Sequence, residues 1–312
     1  MIITIGILIA GILLLTVGAE FFIRGSSSLA ARLGIHPLLI GLTVAAFGTS
    51  APELFVSVKS ALAGHAGIAV GNVIGSNIAN IALILGSCAL ITPLSVHLTV
   101  IKRDTPFMVI ISAICFAMLW NRHLSRFEAL ILLFLFFCYV IFTIIISIRE
   151  KNAAVSNKKD EPVKKGNIIF LLLLISGSLL ALLYGANLMV NAGVGLARFF
   201  GVNETIIGIS IIAVGTSLPE LAASLVAAAK KEPDIAIGNI VGSNVFNIGL
   251  VLGSAGAICP FSVPDLKTID ISITLLLSFI LIPFLKSGFI LSRIEGMILF
   301  LCYAAYIFFL WA

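Results

Sequence analysis

The residues best able to do chemistry in this chain stand where hydrocarbon is expected. GTSAPEL at 48–54 lies inside an apolar run and returns as GTSLPEL at 215–221. Thr49, Ser50 and Glu53 are spaced i, i+1 and i+4, so on a helix their oxygens share one face. Ser76 and Asn80, again i and i+4, follow in the next apolar run. The second copy supplies Thr216, Ser217 and Glu220, then Ser243 and Asn247. Together these are two carboxylates, two amides and six hydroxyls, with no thiolate or imidazole among them. Hard oxygen donors suit calcium, sodium or another hard cation, and argue against zinc, copper or iron.

Pro52 adds main-chain oxygen. It has no N–H, and its ring clashes with the carbonyl four residues back, that of Gly48. The carbonyls around Ala46 to Thr49 are therefore expected to be partly freed, and the helix to break into two pieces. Irregular backbone at membrane depth is tolerated only where protein buries it or where it lines a cavity. Carboxylates at that depth are costly and functional by default. Two of them at ~5 Å and an effective dielectric of ~20 repel by about 3 kcal/mol, so the pair is expected to hold a proton or a cation. One calcium neutralises both, as do two sodium ions, while a third sodium leaves net positive charge. Calcium and sodium at shared ligands compete. If the protein rearranges only when the site is filled, that competition becomes exchange.

The elements that must position these groups are membrane helices. The chain has 312 residues, 60% hydrophobic and 11% charged, with a mean hydropathy of +1.21. Soluble domains carry about 25% charged residues, so a soluble globule is excluded. Apolar segments near the ~20 residues needed to cross a bilayer recur along the chain. Ten spans are expected, at roughly 2–23, 37–62, 67–92, 105–121, 127–148, 167–190, 204–229, 234–258, 268–286 and 289–311. The first has no basic n-region and no small-residue cleavage site after it, and reads as a span rather than a signal peptide.

The motifs also order the chain. GNVIGSNIANIALILG at 71–86 returns as GNIVGSNVFNIGLVLG at 238–253, identical at ten of sixteen positions and, like the first motif, 167 residues on. No gap is needed from Gly18 through Gly86. Each copy holds five spans, and an odd number forces the second copy into the membrane upside down. The expected fold is thus an all-α polytopic membrane protein of ten transmembrane helices in two inverted five-helix repeats, 1–148 and 167–312. The charged segment 149–166 joins them as a linker. Fourteen of the nineteen Lys and Arg fall in loops after odd-numbered spans. By the positive-inside rule those loops and the linker are cytoplasmic, and both termini lie outside. The net charge of +5 thus reports topology rather than nucleic-acid binding. Inverted repeats are a recurring plan of secondary transporters, with the substrate held near the midplane where broken helices meet.

Other polar and small residues read as structural. Asn77 and Asn244 are expected to join helices. Gly71 with Gly75, and Gly238 with Gly242, have the spacing of close helix contacts. Glu20 and Arg24 read as an interfacial pair, matched in the repeat by Asn187 and Asn191, and Lys59 is expected to reach the interface. The five cysteines match no zinc or redox spacing, and the four histidines form no cluster.

The two motif pairs, GTSAPE with GNVIGSNIAN and GTSLPE with GNIVGSNVFN, resemble the alpha-repeats of the sodium/calcium exchanger family, and with the ten-span plan the resemblance covers essentially the whole chain. It implies ion ligands at Ala46, Thr49, Ser50, Glu53, Ser76 and Asn80, and at Ala213, Thr216, Ser217, Glu220, Ser243 and Asn247, the two alanines through main-chain carbonyls. It implies transport of Na+ and Ca2+ at overlapping sites with no cofactor, and first and sixth helices that slide as a gating pair. Several family members carry Asp where this chain has Asn80 or Asn247, so only two carboxylates remain here. The expected function is secondary antiport of Na+ for Ca2+ by alternating access, extruding Ca2+ across a prokaryotic inner membrane as a monomer. The alternative is Ca2+/H+ antiport with the same glutamates. An intramembrane metal-dependent transferase would need basic residues beside the acids, and neither Glu53 nor Glu220 has one nearby in sequence.

Overall fold

The structure, a computed structural model, describes residues 2–155, 167–199, 213–264 and 266–311. Numbering each broken helix once, the helices are α1 (Ile2–Leu33), α2 (Pro37–Thr49 continued by Ala51–Leu62), α3 (Ala66–Ile91), α4 (Val100–Asn121) and α5 (Arg126–Val155). The second half has α6 (Ile168–Phe199), α7 (Ala213–Thr216 continued by Leu218–Ala229), α8 (Pro233–Ile258), α9 (Thr268–Lys286) and α10 (Arg293–Trp311). Among the described residues eight are long and apolar enough to cross a bilayer, and the bent α2 makes a ninth. The remaining expected span, 204–229, begins outside the described residues; its part Leu218–Ala229 is a 12-residue apolar helix. The chain is an all-α polytopic membrane protein.

Depth of burial separates the helices. The apolar window of α8 is 94% buried and that of α3 72%, against 28% for α1, α5 and α6 and 11% for α10. The cause lies in side-chain type. The Gly, Ala, Ser and Asn of the repeated motif let neighbours pack against α3 and α8 from all sides. The outer helices instead turn large apolar side chains outward, among them Phe127, Phe134, Ile169, Leu173 and Phe308, the surface that lipid covers.

Three helices run further at their C-terminal ends than the sequence reading expects: α1 to Leu33 rather than 23, α5 to Val155 rather than 148, into the expected linker, and α6 to Phe199 rather than 190. The stretch after Arg24 reads as an end because it is polar, yet Ser26 and Ala30 are buried and continue the packed face. α1 stops where Gly34 takes a left-handed φ of 61° and the Ile35 amide donates back to Ala30 O, a helix cap that favours glycine. α1 and α6 pack closely along one another. A Cβ on Gly11 would fall 3.0 Å from Gly185 O, and one on Gly18 would fall 3.1 Å from Ser178 O. α4 also begins earlier than read, at Val100, which takes Arg103 and Asp104 into the helix as an ion pair of 2.7 Å.

The 167-residue relation extends past Gly86 into three dimensions. Two short antiparallel ladders join the halves, Leu94–Ser95 with Ile290–Leu291 and His123–Leu124 with Phe261–Ser262. Each ladder is the image of the other under the offset. Arg126 Nη2 donates to Ile258 O, and its image Arg293 Nη2 donates to Ile91 O, both at 3.3 Å. Ser125 and Glu128 cap the start of α5 reciprocally, as Ser292 and Glu295 cap α10.

Candidate ion-binding site

The site is built on the two broken helices. The pieces of α2 meet at 43°, with Ser50 at the break (φ −83°, ψ 7°), and Ser217 takes nearly the same conformation in α7 (φ −87°, ψ 7°). This sparsely populated region of backbone space often holds active-site residues. Pro52 and Pro219 stand in the first turn of the piece that follows, where a missing N–H is no loss. Glu53 and Glu220 fall in that same first turn, at the positive end of a helix dipole. The Ser50 amide donates to Ala46 O at 3.0 Å, which leaves that carbonyl a second lone pair. In the second copy the Ser217 amide bonds Val214 O instead, at 3.1 Å.

Serines from each half hold the carboxylate of the other. Ser50 Oγ donates to Glu220 Oε1 at 2.9 Å, and Ser217 Oγ lies 3.3 Å from Glu53 Oε1 and 3.1 Å from Ser76 Oγ. Ser76 Oγ is 3.4 Å from the same Glu53 oxygen. Glu53 and Glu220 have no solvent exposure, and among the described residues no Lys or Arg pairs with either. Their Oε2 atoms have no hydrogen-bond partner, and neither do Ser243 Oγ, Asn247 Oδ1 or either polar atom of Asn80. A buried polar atom left unbonded costs about 1–3 kcal/mol, more when charged. These are six of the twelve such atoms among the described residues, and the five oxygens among them are acceptors of the kind a hard cation takes.

The amides sit one turn further along α3 and α8, where both helices widen into π-helical turns, Ala79–Leu85 and Asn247–Leu252. Such turns often mark functional sites. Asn247 Nδ2 donates to Asn77 Oδ1 at 3.0 Å, which aims Asn247 Oδ1 the other way. Asn77 Nδ2 in turn reaches Asn244 O at 3.4 Å, so Asn77 joins α3 to α8 as read from sequence. Asn244 Nδ2 stays within its own helix, on Ile240 O.

Four residues escaped the sequence reading. Asn72 and Asn239 are buried, and each accepts a hydroxyl from the other half: Thr216 Oγ1 to Asn72 Oδ1, and Thr49 Oγ1 to Asn239 Oδ1, both at 3.2 Å. Ser57 and Ser224 hold the amide nitrogens at 2.9 and 3.0 Å. The signal was available, since all four obey the 167-residue offset within apolar helices.

The glycine readings divide. A Cβ on Gly238 would fall 2.9 Å from Leu38 O and one on Gly242 2.9 Å from Leu42 O, the close contact expected. Among the described residues nothing lies within 4 Å of a Cβ on Gly71 or Gly75. The segment that the repeat sets against those two, 205–209, is outside the described residues. Gly48 meets α6 rather than serving only to bend, with Leu179 Cδ2 2.7 Å from where its Cβ would be. Glu20 pairs with Arg24 as expected at 2.6 Å, and also with Lys230 of α7 at 2.6 Å. Its repeat counterpart is a bond of 2.6 Å from Asn191 to Asn187. The alanine pair is described in part: Ala46 packs against Gly242, while Ala213 opens the described part of α7.

Comparison with known proteins follows the same lines. The family model described as "Sodium/calcium exchanger protein" matches residues 3–145 and 170–312, two stretches again 167 residues apart. The inner membrane protein YrbG of Escherichia coli is 36% identical, over 90% of this chain and 88% of its own. The sodium/calcium exchanger MaX1 of Methanosarcina acetivorans is 33% identical, over 96% of each chain. Among solved structures, the sodium-calcium exchanger NCX_Mj superposes with a TM-score of 0.86 at 29% identity, over 98% of each chain.

Proposed function

We propose, from the premise that this chain belongs to the sodium/calcium exchanger family and is therefore a membrane cation/Ca2+ antiporter rather than an enzyme, that it trades Na+ for Ca2+ at the oxygens around Glu53 and Glu220. The ligands are the side chains of Thr49, Ser50, Glu53, Ser76, Asn80, Thr216, Ser217, Glu220, Ser243 and Asn247, with the carbonyls of Ala46 and Ala213. The observation that carries the reading is the pair of fully buried carboxylates from opposite halves, each cradled by the other half's serine and each with one oxygen unbonded. An ionised carboxylate without a partner costs several kcal/mol at such a site, and a cation is the partner that this oxygen set fits.

The charge count supports exchange. Either one Ca2+ or two Na+ cancels the two glutamates, so each ion displaces the other while the loaded site stays near neutral. Because the carboxylates are linked across the halves, an ion that binds both draws the halves together, and release lets them part. α1 and α6, whose glycines let them slide along each other, are the gate. Ca2+ leaves the cell as Na+ enters, through a monomer in the inner membrane with both termini outside. The names of MaX1 and NCX_Mj, both sodium/calcium exchangers, support the choice of Na+.

The test is 45Ca2+ uptake into proteoliposomes that hold the purified chain, with Na+, H+ and voltage gradients imposed separately. An outward Na+ gradient should drive uptake and a pH gradient without Na+ should not. Uptake driven by the pH gradient and indifferent to Na+ would overturn the proposal in favour of proton coupling.

A further inference from the structure

We infer that Glu20 and Lys230 form a one-sided ionic latch, which holds α1 closed against α7 and makes the two access states of the antiporter unequal in energy. The inference rests on the antiport proposed above and concerns two residues outside the ion site.

The latch sits on a contact that differs from its own image. α1 packs on the second piece of α7, with Ala19, Phe22 and Ile23 on one side and Ala223 and Ala227 on the other, all at most 1% exposed. Under the 167-residue offset the matching surfaces are Ala186, Met189 and Val190 of α6, and Val56 and Ser60 in the second piece of α2. Of these, Met189, Val190, Val56 and Ser60 are only half-buried. One pair of surfaces is therefore sealed near the end of α7, while its image is looser near the end of α2. In an inverted repeat those two ends lie at opposite faces of the membrane. A seal at one face and a looser contact at the other is what a single access state requires.

The sealed contact alone carries an ion pair. Lys230 stands where α7 ends, and its Nζ lies 2.6 Å from Glu20 Oε1 of α1. Arg24 Nη2 meets the same oxygen at 2.6 Å from one turn further along α1. Arg24 travels with Glu20, so that bond survives when α1 moves as a unit. The Lys230 bond crosses between helices and must break if α1 parts from α7. The image has nothing equivalent to break. Glu20 and Arg24 become Asn187 and Asn191, which bond to each other at 2.6 Å, and Lys230 becomes Ala63, which has no charge to offer.

Two halves of identical sequence would populate both access states equally, because each state would be the image of the other. An ion pair made across the moving contact in one state, and in no image of it, removes that equality. The side chains of Glu20 and Lys230 are 33% and 28% exposed, so water screens the pair and the bias is a few-fold rather than all-or-none. That scale suits a carrier, since a bond too strong to break would hold α1 in one state and stop the cycle.

Cysteine accessibility tests this without relying on transport, so it decides the latch whether Na+ or H+ drives Ca2+ uptake. Ser60→Cys and Ala227→Cys, images of one another, are made one at a time in the full-length chain with its five native cysteines replaced. Each is labelled with a water-soluble maleimide in detergent. The parent should label faster at Ser60→Cys than at Ala227→Cys. Lys230→Ala should raise the Ala227→Cys rate about threefold and lower the Ser60→Cys rate by less than about twofold, as the disfavoured state gains population. Building the image latch with Asn187→Glu and Ala63→Lys should move both rates in the same directions. Rates that rise together in Lys230→Ala, as general loosening gives, or that do not change, overturn the latch and leave the ion site standing. If Lys230→Ala does not elute as a single folded species, Glu20→Gln decides by the same criteria.

Discussion

Replacing either glutamate with glutamine should cost Ca2+ far more than Na+, and the structure sets the scale. Glutamine keeps an oxygen where Glu220 Oε1 accepts the Ser50 hydroxyl at 2.9 Å, so the shape of the site survives Glu220→Gln. What changes is the charge and the second oxygen, the unbonded Oε2, which becomes an NH2 that no cation accepts. At ~4 Å and an effective dielectric of ~20, one carboxylate attracts Ca2+ by about 8 kcal/mol and Na+ by about 4 kcal/mol. If half of each is offset by the burial penalty that the missing charge no longer incurs, about 4 and about 2 kcal/mol remain. Those are near a thousandfold in Ca2+ affinity and thirtyfold per Na+. The same figures hold for Glu53→Gln, whose Oε1 is within reach of the Ser76 and Ser217 hydroxyls. The assay is the concentration dependence of 45Ca2+ uptake beside 22Na+ exchange, on variants that elute as the parent does in size-exclusion chromatography. A folded variant whose Ca2+ affinity stays within tenfold of the parent would refute the reasoning. So would one that loses Na+ and Ca2+ equally, because the charge argument demands the difference.

Two further outcomes follow from particular contacts. In Asn247→Asp a neutral acid can donate to Asn77 Oδ1 as the amide does at 3.0 Å, whereas an ionised one cannot. Its transport should match the parent at low pH and depart from it as pH rises, while Asn80→Asp, whose side chain has no such partner, should show no matching transition in a flux-versus-pH profile. Gly11→Leu and Gly185→Leu place a side chain within 3.0 Å of backbone across the α1–α6 contact. Each should lower stability by about 1–3 kcal/mol and reduce flux more than it reduces Ca2+ binding, read by thermal unfolding, uptake and equilibrium binding.

The candidate site was legible because a buried carboxylate is too costly to be incidental, and because the offset of 167 printed each candidate position twice. The same two facts led to the broken helices, since a proline beside a buried carboxylate, repeated at the offset, is more than the simple kink that a lone proline such as Pro283 makes. Asn72 and Asn239 were on the same offset but were passed over. An amide in a membrane helix is ordinary glue until its partners are known, and its partners lie in the opposite half of the chain. The lengths of α1 and α6 were hidden for a different reason. Polar residues such as Ser26 signal a helix end only if they meet water, and Ser26 is instead buried. The two-residue ladders carry no local pattern at all, being set by where the ends of α3, α5, α8 and α10 deliver the chain.

The departures from symmetry bear on mechanism more than the symmetry does. Asn247 Nδ2 is bonded to Asn77 Oδ1, and the image of that bond would join Asn80 Nδ2 to Asn244 Oδ1. Both of those atoms are buried and unbonded. One member of a matched pair of bonds is therefore made, and the other stands with both partners in place and apart. Likewise Cβ atoms on Gly48 and Gly215, images of one another, would both meet α6, at Leu179 and Val190, rather than one meeting α6 and the other α1. A transporter that works by exchanging the conformations of its halves must have such inequivalent contacts in any one state, since full symmetry would open both sides or neither. On the exchange of halves proposed above, the other access state would bond Asn80 and free Asn247, so the two amides would present different fixed oxygens to the ion in the two states.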